Sequence, residues 1–269
     1  MRPLQSRVLL TDLIFNRFEG QVQETPHYTV VKTPAQPDFF WGNYVMMPAP
    51  PEPGDFDRWL AIAGREIGTR EARGFMAVTW DGIDGETGHI EPFLADGFEL
   101  LRSEGLVVRD LKCPPHFDEQ LCWQLIERPE DWEATDAVHF DPQWPYGNPQ
   151  QQRAFIAGQR QQAQAMVRVG LGLRFGIKVG TQLAAELGIY WQDGVGRFNN
   201  VSTHPDFRGK GLCQTLVYRA ATYVMAHCGV QELVIEAMAD SQAGRIYQEV
   251  GFEPYEKRCS LQWYNASKT

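Results

Sequence analysis

The segment that most constrains this chain is residues 201–213, which read VSTHPDFRGKGLC. The pattern predicts a strand, a turn built around Gly209 and Gly211, and the first residues of a helix. Glycine lets the backbone turn sharply and lets a ligand approach the main chain closely. Amide groups at the start of a helix lack acceptors, and the helix dipole is positive there. The segment therefore predicts a binding site for an anion such as a phosphate.

A second motif lies downstream of a strand that we predict over residues 233–238. Residues 240–252 read DSQAGRIYQEVGF, a helix pattern in which Tyr247 is followed by three residues, Gly251 and Phe252. A glycine directly after a helix is typical of a C-terminal cap. The two motifs together predict a strand, glycine turn, helix, strand and helix in succession.

These two motifs resemble those of the GNAT superfamily of acyl-CoA N-acyltransferases. Arg208-x-x-Gly211-x-Cys213 is similar to the pyrophosphate-binding loop of that family, and residues 243–252 are similar to its second signature. The two segments lie in the family's order and at a suitable spacing. The resemblance implies an α/β fold, the GNAT fold, with a mixed, mostly antiparallel sheet flanked by helices.

The N-terminal half contains a weaker copy of the same pattern. A strand predicted to end at Met47 and a helix predicted to be capped by Asp55 match the strand ending at Thr203 and the helix at Gly211. This helix has apolar residues at the spacing of one buried face, namely Phe56, Trp59, Leu60, Ala63 and Ile67. Residues 93–98 repeat the pattern of an aromatic residue, three residues, glycine and phenylalanine. We therefore predict a tandem of one degenerate and one complete unit.

The N-terminal copy lacks the residues that would bind a phosphate. Prolines in residues 48–54 remove amide donors, and Glu52 and Asp55 would repel an anion. Phe93 stands where the second copy has Tyr247, so the proton-donating hydroxyl is missing. We predict a degenerate or accessory domain over 1–117 and an acetyltransferase domain over 118–269.

The resemblance implies acetyl-CoA as cosubstrate and assigns its binding residues. Backbone groups of Val201 and Thr203 would bond the pantetheine arm, and the amides of the turn would take the pyrophosphate. The residues of that turn are Arg208, Gly209, Lys210, Gly211, Leu212 and Cys213. Cys213 stands where the family has glycine or alanine. It is either a small residue packed into the structure or a reactive thiol.

The catalytic groups are less sharply indicated. Tyr247 is the candidate general acid toward the departing thiolate, because a phenol has a pKa of about 10. Two carboxylates inside apolar strands, Glu236 and Glu186, are candidates for the general base, directly or through water. No serine or cysteine has an obvious histidine partner, which favours direct attack of the amine in a ternary complex over an acyl-enzyme.

Composition narrows the partners. The chain has 269 residues and a formal net charge of −9, which argues against nucleic acid as a partner. No signal peptide or transmembrane run is evident in the sequence. The five cysteines are consistent with free thiols in a reducing cytosol. The histidines do not have the spacing of a metal site. We expect a cytoplasmic protein with no membrane partner and no metal. Whether it forms a homodimer stays open.

The function predicted from these residues is transfer of an acetyl group to a primary amine, preferably that of a small molecule. A non-catalytic acyl-CoA sensor or interaction protein is the main alternative, and a protein or peptide N-acetyltransferase is another. Turnover of acetyl-CoA against a panel of amines separates them.

Overall fold

A computed structural model describes residues 3–265 of the chain. The first two residues and residues 266–269, the end of the predicted acetyltransferase domain, lie outside the described part. The helices are α1 (Arg7–Glu19), α2 (Asp55–Glu66), α3 (Arg70–Arg73), α4 (Glu91–Ala95), α5 (Pro129–His139), α6 (Pro149–Arg168), α7 (Leu212–His227) and α8 (Gln242–Glu249). The strands are β1 (Gln21–Glu24), β2 (Thr29–Lys32), β3 (Tyr44–Met47), β4 (Phe75–Trp80), β5 (Glu99–Val108), β6 (Trp123–Leu125), β7 (Gly172–Val179), β8 (Gln182–Gln192), β9 (Val195–Thr203), β10 (Glu232–Met238) and β11 (Glu253–Tyr264).

The chain divides into two compact units. Within residues 3–265, the first comprises residues 3–105, Pro145–Asn148 and residues 255–265, and the second comprises Leu106–Trp144 and Pro149–Pro254. These units have other bounds than the domains at 1–117 and 118–269, which stay a prediction about the organisation of the sequence. The difference arises because β11, the last strand of the chain, pairs with β4 of the first unit.

The first unit contains the strands in the order β1-β2-β3-β4-β11-β5. β3 and β4 are parallel, with Val45 opposite Val78, and α2 forms the crossover between them. The predicted apolar face of α2 is confirmed, since Trp59 is 1% exposed and packs at 5.6 Å from the ring of Phe93. This face and the sheet form the core of the first unit.

The first unit repeats the order of elements of the second. In each unit two parallel strands flank a helix, and a short helix then ends in the same cap. The amide of Phe98 donates to the carbonyl of Phe93 at 3.0 Å, and the amide of Phe252 donates to the carbonyl of Tyr247 at 3.1 Å. Gly97 and Gly251, with φ of 87° and 106°, supply the left-handed residue that this cap requires. The predicted repeat therefore extends to the hydrogen bonds of a helix end.

The N-terminus of α2 carries a negative charge of the chain itself. The N-cap is Gly54, with φ of 92°, so the prediction that Asp55 caps the helix is wrong. Asp55 instead begins the helix, and its carboxylate accepts a hydrogen bond from the Glu52 amide at 2.9 Å and pairs with Arg58. A carboxylate of the chain itself thus lies at this helix N-terminus, where a phosphate would be repelled.

The second unit contains the strands in the order β10-β9-β8-β7-β6, and the last three residues of β5 lie beside β10. Neighbours from β6 to β9 are antiparallel, and β9 and β10 are parallel. Along β8, Leu187 and Ile189 pack with Leu216 and Val224 of α7 in the core. Glu186, which alternates with them, points to the opposite face of the sheet.

Candidate functional site

The site begins where β9 and β10 separate. The two strands pair from Val195 with Glu232 to Arg197 with Val234, and β9 then continues to Thr203 without this pairing. A cleft of about 1160 Å³ lies along the free part of β9 and extends over the starts of α7 and α8. An opening between parallel strands exposes backbone groups that a ligand can pair with, as an added strand would.

The backbone of β9 alternates between β8 and the cleft. The amide of His204 donates to the carbonyl of Ala184 of β8 at 2.9 Å. By the two-residue period of a strand, the backbone groups of Val201 and Thr203 then point away from β8. Both residues line the cleft, which is where the sequence predicted the pantetheine arm.

The glycine turn has the geometry of an anion site. Gly209 and Gly211 have φ of 75° and 73°, conformations that favour glycine, and Gly211 is the N-cap of α7. Among residues 3–265 no group accepts a hydrogen bond from the amides of residues 209–213. These amides line the cleft together with the positive end of the α7 dipole.

The two cations of the turn are exposed and anchored to nearby carbonyls. Arg208 donates through Nε to the carbonyl of Thr203 at 3.2 Å, and Lys210 donates through Nζ to the carbonyl of Asp206 at 3.2 Å. The Lys210 ammonium lies 5.0 Å from the centre of the Phe207 ring. These contacts hold positive charge beside the free amides.

Cys213 packs against the core of the second unit, next to buried Leu212. Burial raises the pKa of the Cys213 thiol to about 12, so the thiol is protonated at neutral pH. A protonated thiol is a poor nucleophile, which favours the packed small residue over the reactive thiol.

Tyr247 of α8 reaches the cleft with its hydroxyl. The residue is 4% exposed, and no group in the described part of the chain hydrogen-bonds to its oxygen. Burial raises the pKa of the phenol well above its ordinary value, Cys213 adds to the rise and Arg197 opposes it. The phenol is therefore neutral over the whole physiological range and can donate its proton.

The structure does not bring the two predicted carboxylates together. Glu236 pairs with Arg197 at 2.8 Å and lies outside the residues that line the cleft. Glu186 is fully buried beneath the cleft and accepts a hydrogen bond from Nε of Arg174 at 2.9 Å. Burial raises the pKa of the Glu186 carboxyl, but Arg174 and His139 lower it more, so that it stays below its ordinary value.

His139, the last residue of α5, connects Glu186 with the cleft. Its Nε2 contacts Oε1 of Glu186, and its Nδ1 lies 3.2 Å from Oγ of Ser202. Nη2 of Arg174 also lies 3.3 Å from Nε2. Since a carboxylate only accepts, Nε2–H is the donor to Glu186, and in the neutral imidazole this leaves the lone pair on Nδ1. His139 and Ser202 both line the cleft.

A bulge in β9 brings Ser202 to this position. Gly188 pairs with Asn199 and Glu186 with Ser202, so β9 has one residue more than β8 over this stretch. Asn200 takes the left-handed conformation with φ of 53°. A bulge redirects the side chains that follow it, and it places Ser202 on the same face as Glu186.

The sequence reasoning missed this histidine. The prediction that no serine has an obvious histidine partner is wrong, because Nδ1 of His139, at the end of α5, contacts Oγ of Ser202. The available signal was Glu186 itself: a carboxylate inside an apolar strand needs hydrogen-bond donors, and Arg174 on the neighbouring strand is only one of them.

Residues 170–261 match the family described as FR47-like protein. No curated protein sequence matches the chain.

Several solved structures share the fold over most of the chain. A functionally unknown conserved protein from Staphylococcus epidermidis is 14% identical, with 92% of this chain and 95% of that chain aligned and a TM-score of 0.72. A GCN5-related N-acetyltransferase from Kribbella flavida is 16% identical, with 97% and 96% aligned and a TM-score of 0.64. A tandem GNAT protein from the clavulanic acid biosynthesis pathway is 14% identical, with 94% and 87% aligned and a TM-score of 0.53.

The chain has the GNAT fold, and its predicted resemblance to the GNAT superfamily is confirmed. Within residues 3–265 no cluster of three or more histidine, cysteine, aspartate or glutamate residues is arranged to hold a metal ion. In that same range no helix is long and apolar enough to cross a membrane.

Proposed function

We propose that the protein is an acyl-CoA-dependent N-acyltransferase that moves an acetyl group from acetyl-CoA to a primary amine of a small molecule. The observation that carries this proposal is the composition of one cleft. It combines the free amides of residues 209–213, the neutral phenol of Tyr247 and the imidazole of His139. Thioester aminolysis needs an anion site for the cofactor, a proton donor and a proton acceptor.

The free amides and cations at one end of the cleft favour one direction for the cofactor. The amides of residues 209–213 take the pyrophosphate at the start of α7, and Arg208 and Lys210 add positive charge. The pantetheine arm then runs along Val201 and Thr203 as an added strand. The reactive thioester lies toward the bulge at Asn200, beside His139 and Tyr247.

In the reaction, the amine nitrogen attacks the thioester carbon in a ternary complex. Nδ1 of His139 accepts the amine proton, directly or through the hydroxyl of Ser202. The carbon–sulfur bond breaks, and the Tyr247 phenol donates its proton to the thiolate. Glu186 holds the imidazole in the tautomer that leaves Nδ1 basic, and Arg174 holds Glu186, so both are positioning residues. His139 thus takes the place of both predicted general bases, Glu236 and Glu186.

The comparisons support the class of reaction through the fold, since similar structures include a GCN5-related N-acetyltransferase. The sensor hypothesis is the weaker one, because a sensor needs no imidazole that is oriented by a buried carboxylate.

The test is release of CoA thiol from acetyl-CoA with a panel of primary amines. We expect amine-dependent release that falls about 10²-fold in His139→Gln, the contribution typical of a general base. The matched control is His227→Gln, because His227 is exposed on the far end of α7. Binding of acetyl-CoA without turnover of any amine would instead establish the sensor.

A further inference from the structure

A second cavity adjoins the cleft on the side of α5 and α6. It has a volume of about 280 Å³ and shares His139 and Asp141 with the cleft. Its wall comes from α5, α6, the segment after α5, Arg174 of β7 and Asn200 of the β9 bulge. A molecule in this cavity therefore meets the candidate general base at the point where the thioester is expected.

One buried polar side chain in this cavity has no partner. Gln152, in the first turns of α6, is 3% exposed and lines the cavity. Among residues 3–265 no group forms a hydrogen bond with its side-chain amide. A buried amide is normally hydrogen-bonded, so its position points to a ligand with a polar uncharged group.

The charges of the cavity are distributed unevenly. Its two cations are neutralised, because Arg174 faces Glu186 and Arg160 pairs with Asp136 at 2.9 Å. The carboxylate of Asp141 accepts one hydrogen bond from the Gln143 amide at 2.9 Å, and no cation in the described part of the chain pairs with it. The Asp141 carboxylate can therefore bind an ammonium group where the cavity joins the cleft. A ligand carboxylate would find no unpaired cation in this cavity.

The size and the walls limit the rest of the ligand. The rings of Trp144 and Phe155 lie 6.1 Å apart at an angle of 21° and form an apolar wall. At about 280 Å³ the cavity lies just below the range of about 300–1,000 Å³ that is usual for small-molecule pockets. A peptide with several ordered residues exceeds this volume.

We propose that this cavity is the acceptor pocket and that it selects a primary amine with a short chain and an uncharged amide or hydroxyl group. The ammonium lies at Asp141 and loses its first proton to water before it attacks. The second amine proton goes to His139 as the amide forms. The polar group pairs with Gln152. This inference rests on the proposed acyl transfer and specifies its acceptor class.

The test compares 4-aminobutanamide with 4-aminobutanoate, which differ only in the polar end. We expect the carboxamide to have a kcat/KM at least tenfold higher in the wild type. In Gln152→Met the KM for the carboxamide should rise at least fivefold, while kcat stays within twofold. Gln161→Met, at an exposed position of the same helix, should leave both constants unchanged.

Direct binding separates failure of this inference from failure of the proposed function. Titration of 4-aminobutanamide into the CoA-loaded protein should give binding that weakens at least fivefold in Gln152→Met. Equal binding by wild type and variant, no binding at all, or a preference for the carboxylate overturns the pocket. If the carboxamide binds through Gln152 but releases no CoA from acetyl-CoA, the pocket stands and the acyl transfer is wrong.

Discussion

Substitutions in the buried ion pair of Glu186 and Arg174 should affect the unfolding free energy and the turnover of acetyl-CoA differently. Glu186 is fully buried and Arg174 is 3% exposed, so Glu186→Gln leaves a guanidinium in the interior without its carboxylate. Removing one partner of a buried ion pair costs about 3–5 kcal/mol of unfolding free energy. Since domains are typically stable by about 5–15 kcal/mol, the variant should still fold at 25 °C.

The double variant Glu186→Gln/Arg174→Met removes both charges. Replacing both partners of a buried pair by neutral groups is often close to neutral, so the double variant should regain most of the lost stability. It does not restore the carboxylate that orients His139. We therefore expect turnover to fall about 10²-fold in both variants.

The assays are urea unfolding and CoA release measured on the same preparations. With the single variant Arg174→Met measured as well, the stability cycle should give a coupling energy of at least about 2 kcal/mol between the two positions. Additive losses of stability would refute the buried pair. Recovery of activity in the double variant would refute the role of Glu186 in orienting His139.

Three further results are expected. Tyr247→Phe should lower kcat about 10²-fold and leave the affinity for acetyl-CoA within twofold of the wild type. Because burial raises the pKa of this phenol, loss of its proton should not lower the wild-type rate between pH 8 and about 10. A fall in rate at alkaline pH that disappears in Tyr247→Phe would contradict this. Ser202→Ala should keep its activity within about tenfold of the wild type, because a water can carry the proton in place of the hydroxyl. Intact-mass spectrometry of the wild type with acetyl-CoA alone should find no acetylated Ser202. An acetyl adduct there would establish an acyl-enzyme instead. The Arg128 hydrogen bond first, and Lys178 second, lower the pKa of Asp131 to about 2, so this carboxylate stabilises the folded state above its unfolded pKa of about 3.9 and the stabilisation is lost as the pH falls toward 2. Because Arg128 is exposed and solvent screens its pairing, the unfolding free energies of wild type and Asp131→Asn should differ by about 1 kcal/mol at pH 6, and the difference should shrink below pH 4. A difference that is constant with pH would contradict the assignment.

The parts of the site that the sequence predicted depend on local backbone geometry. Gly209 and Gly211 have positive φ, and Gly251 follows α8 in the left-handed region. Because this conformation favours glycine, each of these positions can be recognised in the sequence. Tyr247 follows from the same local pattern, since its place in α8 is set by the cap at Gly251. These features need no knowledge of distant contacts.

The general base and the pairing of the last strand depend on contacts between distant residues. His139 lies 47 residues from Glu186 and 63 from Ser202, and no local spacing connects them. The hydroxyl of Thr79 in β4 donates to the carbonyl of Cys259 in β11, 180 residues away. Such pairings are decided by which sheet edge is available after folding, and periodicity within a segment does not encode that choice.

The most direct test of the central claim is isothermal titration of acetyl-CoA into the wild type, Gly209→Asn and Gly209→Asp. A side chain at Gly209 meets no atom within 4 Å, and asparagine and aspartate both tolerate its φ of 75°. The two variants therefore differ mainly in charge. We predict micromolar binding by the wild type and an affinity at least tenfold lower for the aspartate than for the asparagine variant. Equal affinities, or no binding by the wild type, would contradict a pyrophosphate site at the start of α7.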